Sequence, residues 1–169
     1  RVLTAVLPAK VSDELIDFAI EAHNNGATED TYSPTHEDYK RLSNVAWFAS
    51  DLRKKLINET GAVHVKGLDM EKLAGGTDRV VGRSKLAYFV LSSLIGNVDG
   101  SARGRLFDVV DKGLDPRASN VLFSVTRAAA PYHTDGASVN KSYDAVGLLC
   151  INPASEGGKL QLSNAGTAL

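Results

Sequence analysis

The hydrophobic period of this chain changes once, near Gly96, and that change constrains the fold more than any other feature. Upstream, apolar residues recur three and four positions apart, the spacing that lines one face of a helix. Downstream they alternate or run on in short stretches, the signature of strands. Ser12-Asp13-Glu14-Leu15 reads as a helix entry with Ser12 as N-cap, and Asn24-Asn25-Gly26 closes that run. Thr35-His36-Glu37-Asp38 opens a second helical region that continues through Tyr39 to Glu59. Met70 to Ala74 reads as one helical turn, and Ser84 caps a helix that Gly96 ends. Gly61 to Gly67 is a short strand between glycines, and Leu106–Val110, Asn120–Arg127, Ala145–Ile151 and Lys159–Ser163 are strand candidates. Helices first and strands later favour α+β over a repeating βαβ chain.

Composition narrows the function classes. With 169 residues, 43% of them hydrophobic, the chain suits a single domain with a true core. Its 19 basic and 20 acidic residues leave a net charge of −1. That balance argues against nucleic-acid and anionic-membrane partners. No apolar stretch approaches the roughly 20 residues of a membrane span, and a cytoplasmic setting is expected. The single cysteine, Cys150, excludes an internal disulfide. Within Val146–Ile151 it reads as a buried, inert thiol.

Chemistry concentrates in Pro131-Tyr132-His133-Thr134-Asp135-Gly136. On an extended segment, residues two apart face the same way. His133 and Asp135 would therefore present an imidazole and a carboxylate together, two of the three ligands of the facial triad that holds non-haem Fe(II). The competing reading is a surface turn, with Asp135 bonding the local backbone. Tyr132 either lines a pocket or packs in the core, and Arg127 either faces a carboxylate substrate or ends a strand in solvent. His64 reads as a core or rim residue of its strand, and His23 and His36 as helix-surface residues. Trp47, Phe48 and Tyr39 read as a helix packing face. No His follows His133 in the sequence.

The run His133-Thr134-Asp135-Gly136, then Asp144 to Cys150, Pro153-Ala154 and Gly157-Gly158 to Ser163 resembles the Fe(II)/2-oxoglutarate-dependent oxygenases of the taurine dioxygenase and clavaminate synthase-like group. Gly61 to Gly67 resembles that group's early strand, and the likeness spans about residues 55 to 165. It implies a double-stranded β-helix, or jelly roll, flanked by helices. Residues 1–60 would be mainly helical, and 61–169 would form part of the jelly roll, truncated at the C-terminal side. It also implies Fe(II) bound by His133, Asp135 and a distal His, with 2-oxoglutarate and O₂ as cosubstrates. Because Asp135 is present, hydroxylation, desaturation or ring closure is implied rather than halogenation. The substrate would be a small molecule, an amino acid or specialised metabolite. The family's distal His and its 2-oxoglutarate-binding Arg have no counterpart here. Leu160 stands where the family often places Thr or Ser, so no cosubstrate-binding residue is assigned. Two alternatives stay open: a non-catalytic jelly-roll binding module or pseudoenzyme, and a Zn²⁺ hydrolase using the same His and Asp.

Overall fold

The computed structural model describes residues 2–76, 79–100, 104–118, 121–135 and 143–163. Two strands, β1 (Leu3–Val6) and β2 (Val63–Lys66), pair in parallel with Leu3 opposite Val63 and Val6 opposite Lys66. Between them run α1 (Ala9–Asn24), α2 (His36–Arg41) and α3 (Ser43–Asn58). After β2 come α4 (Met70–Ala74) and α5 (Val80–Ile95). The class is thus mixed helix and strand, and residues 1–60 are mainly helical, as the periodicity predicts.

The core is built where α1, α3 and α5 meet. Leu15, Ile16 and Ala19 of α1, Val45, Phe48 and Leu52 of α3, and Leu86, Phe89 and Val90 of α5 are all buried. Leu73 of α4 and Leu7 after β1 close its ends. Each such side chain contributes about 1.5–3 kcal/mol when fully buried, so this helical layer dominates the stability.

Several element boundaries differ from the sequence reading, each for a local reason. The first helix begins at Ala9 rather than Ser12, because Pro8 fixes φ at −58° and its carbonyl accepts from the Val11 and Ser12 amides. Ser12 is buried inside the helix. Ser84 likewise lies within α5, where its hydroxyl donates back to the Val80 carbonyl at 2.6 Å. The expected helix through Tyr39–Glu59 breaks at Leu42 (ψ 36°), whose side chain enters the core. Upstream of the break, Thr35 and Asp38 form a capping box. Downstream, the Glu14 carboxylate of α1 accepts from the Asn44 and Val45 amides at 3.1 and 3.3 Å. A cap supplied by another helix leaves no local signature. Phe48 is buried as expected, but Trp47 is 65% exposed, so it takes no part in the packing face.

Beyond Gly96 no described segment is a strand, and Phe123–Val125 form a single 3₁₀ turn. The jelly roll expected over 61–169 is therefore not shown. Strand-type residues hold a strand only where neighbours complete the ladder and cover a face. Here Val146 and Leu148, and likewise Leu160 and Leu162, expose alternate apolar positions. Cys150, expected inside a buried strand, is exposed for the same reason.

This second half is anchored to the helical layer at a few points. The Arg105 guanidinium donates to the Glu29 and Tyr32 carbonyls and stacks over the Phe89 ring, 4.9 Å from its centroid. Lys85 on α5 bridges Glu29 and Asp108 at 3.5 and 2.9 Å. Gly147 passes so close to the Tyr88 hydroxyl that a Cβ there would lie 2.1 Å from it.

Candidate metal-ligand pair

The segment carrying His133 and Asp135 is reached through two tied loops. The Lys112 amide donates to the Val125 carbonyl at 2.9 Å. The Arg127 Nε donates to an Asp111 carboxylate oxygen, and the other Asp111 oxygen accepts from the Gly113 amide at 2.8 Å. Hydrogen bonding from Arg127, and then from the Gly113 amide, holds the Asp111 carboxyl below the usual carboxylate range. Arg127 pairs with Asp111 while its side chain stays 90% exposed to solvent. Tyr132 is 73% exposed, so it is not a core residue, and its hydroxyl pairs with Gln161 Oε1 at 3.2 Å. That contact ties the His133 segment to residues 159–163.

His133 and Asp135 do converge. The imidazole Nε2 lies 3.7 Å from Asp135 Oδ1. This is too long for a hydrogen bond between them, and a cation bound at about 2.0–2.2 Å to each atom would fit between. The Nδ1 of His133 lies 2.7 Å from the Pro131 carbonyl oxygen. A carbonyl only accepts, so the bond requires the proton on Nδ1. In the neutral ring, Nε2 then carries the lone pair beside the carboxylate. Orienting a ligand imidazole through its second nitrogen is the usual outer-shell arrangement of a metal site. The donor set, one imidazole nitrogen and one carboxylate oxygen, suits Fe(II) or Zn²⁺. Both side chains are about half exposed, so a ligand could approach from solvent.

Among the described residues, no group of three His, Cys, Asp or Glu side chains comes together. His64 is exposed on β2, not a core residue. His36 is exposed, as expected. His23, expected on a helix surface, turns its ring against Gly82 with Nδ1 buried and unpartnered. Gly136, the last residue of the motif, lies outside the described residues. Two contributors escaped the sequence reading. The Pro131 carbonyl carries no residue-type signal, and Gln161 sits in an alternating segment where any polar residue would look like a solvent-facing one.

Comparison of the chain with protein-family models, curated proteins and solved structures finds no match. No helix among the described residues is long and apolar enough to cross a membrane.

Proposed function

We propose that the chain is part of an Fe(II)- and 2-oxoglutarate-dependent oxygenase of jelly-roll type that hydroxylates, desaturates or cyclises a small molecule, an amino acid or specialised metabolite. One observation carries this reading: His133 Nε2 and Asp135 Oδ1 converge at 3.7 Å while the Pro131 carbonyl fixes the ring tautomer. It joins the likeness of the His133-to-Ser163 block to that family. Iron with 2-oxoglutarate and O₂ would supply oxidative decarboxylation to succinate and CO₂, coupled to oxidation of a substrate C–H bond.

The chain's own residues have definite tasks in this reading. His133 would offer Nε2 and Asp135 an oxygen to the metal. Pro131 holds the imidazole in its ligating tautomer. Tyr132 and Gln161 pin the segment against residues 159–163, and Arg127 with Asp111 sets its approach. The exposed thiol of Cys150 suits a reducing compartment such as the cytoplasm, where thiols persist.

The test is anaerobic titration of the chain with Fe(II), with and without 2-oxoglutarate, followed by succinate release in air with candidate substrates. His133→Ala and Asp135→Ala should each abolish iron binding, while Tyr132→Phe should retain it. A preference for Zn²⁺ without any response to 2-oxoglutarate would point instead to hydrolysis. Ligand binding that ignores iron and survives His133→Ala would make the domain a binding module.

A further inference from the structure

A cavity of ≈ 480 Å³ opens at the C-terminal end of α5, on the helical layer. None of His133, Asp135, Tyr132 or Arg127 lines it. Its volume lies in the range of about 300–1,000 Å³ that suits small-molecule sites. Two arginines face it, Arg53 from α3 and Arg105 from the segment after α5, and no carboxylate among the described residues lines it. Each guanidinium uses only Nη1 on the protein. Arg53 donates to the Ile95 carbonyl at 3.2 Å, and Arg105 to the Glu29 and Tyr32 carbonyls. Neither forms an ion pair among the described residues. Among the described residues the Nε and Nη2 donors of both have no partner, and Arg105 is held in its plane by stacking on Phe89.

Among the described residues neither guanidinium is ion-paired and no acid lines the cavity, although the Asp30 carboxylate accepts from the Arg105 amide at 3.0 Å, and two such cations favour an anion. The remaining wall says what kind. Pro34, Leu94 and Val98 give it an apolar side, and Tyr39 and Asn97 give it neutral polar edges. We infer that this cavity binds a small organic carboxylate, its head held by Arg53 and Arg105 and its apolar body against Leu94 and Val98. A planar carboxylate matches the fork of donors that a guanidinium presents. Inorganic phosphate shares the charge but would leave the apolar wall uncovered. This inference does not rest on the iron reading.

The experiment is ligand-observed NMR on the full 169-residue chain, with a panel of aryl and alkyl carboxylates, the primary amide of each, and inorganic phosphate. Charge-assisted hydrogen bonds are worth about 1.5–3 kcal/mol, so at least one carboxylate should bind tenfold or more tighter than its amide. Arg53→Gln should weaken that carboxylate by about tenfold, because it removes one of the two charged forks. Arg53 is exposed on α3, so the variant should keep its helical circular dichroism. Arg53→Lys should restore part of the binding, and His133→Ala should leave it unchanged. If no carboxylate saturates, if the amides bind equally, if phosphate binds as well as the best carboxylate, or if Arg53→Gln changes nothing, the inference is overturned. Loss of binding in His133→Ala would also overturn it, by moving the ligand to the other site.

Discussion

Gly82 sits where α5 crosses α1, and replacing it tests how closely the two helices approach. A Cβ built on Gly82 would lie 2.6 Å from His23 Nε2 and 3.0 Å from its Cδ2. The imidazole cannot easily swing aside, because its Nδ1 is fully buried. In an open helix, Gly→Ala gains about 0.5–1 kcal/mol from reduced chain entropy. Here overpacking costs about 1–3 kcal/mol. Gly82→Ala should therefore be neutral or destabilising by up to about 2.5 kcal/mol, the packing cost less the entropy gain. In a His23→Ala background the obstacle is gone, and the same substitution should stabilise by about 0.5–1 kcal/mol. The difference between backgrounds, about 1–3 kcal/mol, is the coupling that a double-mutant cycle measures. Urea unfolding of the four proteins, followed by circular dichroism at 222 nm, a wavelength at roughly the helical minimum, reads each term. Gly82→Ala stabilising the wild-type chain as much as the His23→Ala chain would refute the close approach.

The remaining predictions concern burial and charge. Arg83 is only 7% exposed and donates Nη1 to the Leu73 and Ala74 carbonyls at 3.1 and 3.0 Å. There it meets the negative end of α4, and its Nη2 lies 3.4 Å from Asn24 Oδ1 at the end of α1. Arg83→Ala should cost about 2–4 kcal/mol, lowering Tm by about 2–4 °C for each kcal/mol, and an unchanged melting curve would contradict that role. Burial and the hydrogen bond to Asp38 raise the Tyr32 pKa, and the Asp108 hydrogen bond raises that of Lys85. Both contributions to stability are complete below the unfolded values, about pH 10, and vanish as pH rises through the folded ones. Burial pushes the Asp38 pKa up, but bonds from Tyr32 and Thr35 outweigh it and leave the value lowered. Its contribution is present above about pH 4 and lost as pH falls through the folded value. Thermal melts against pH should show both limbs. Tyr32→Phe should shrink the alkaline one and Asp38→Asn the acid one, and limbs unaltered by either change would exclude these groups as their source.

What the sequence made legible follows the range of the interactions involved. The apolar stripes of α1, α3 and α5 were readable because each helix satisfies its own backbone and needs only one continuous face. The stop at Gly96 was readable for the same reason. The Thr35 entry of α2 was readable from its capping residues, but the entries of α1 and α3 were not, since Pro8 competes locally with Ser12 and the cap of α3 arrives from Glu14, thirty positions away. His23 looked like a surface residue because only the partner helix reveals Gly82 above it. The strand readings beyond Gly96 depend on cross-strand partners, which no local pattern supplies. At the candidate site, the spacing of His133 and Asp135 suggested an extended segment; the two side chains lie 3.7 Å apart on a segment of bend and turn instead, and the tautomer depends on a backbone carbonyl. The Arg53–Arg105 cavity left no trace in the sequence, because its two arginines are widely separated and each resembles an ordinary surface cation.

The parallel pairing of β1 with β2 has a kinetic consequence. Leu3 lies opposite Val63, sixty positions later, with three helices between. Closing a loop of that length costs about 3–4 kcal/mol of chain entropy, against two strands of only four residues each. The strands therefore meet late, after α1 and α3 have docked and shortened the gap. During synthesis β1 emerges before β2 and waits, unpaired, until the rest of the crossover has been made. The same order in reverse governs opening: amides of the sheet, such as Leu7 bonded to Lys66, exchange with solvent before those in the middle of α1 and α5. The strand made before its partner is thus late to be secured and early to be released.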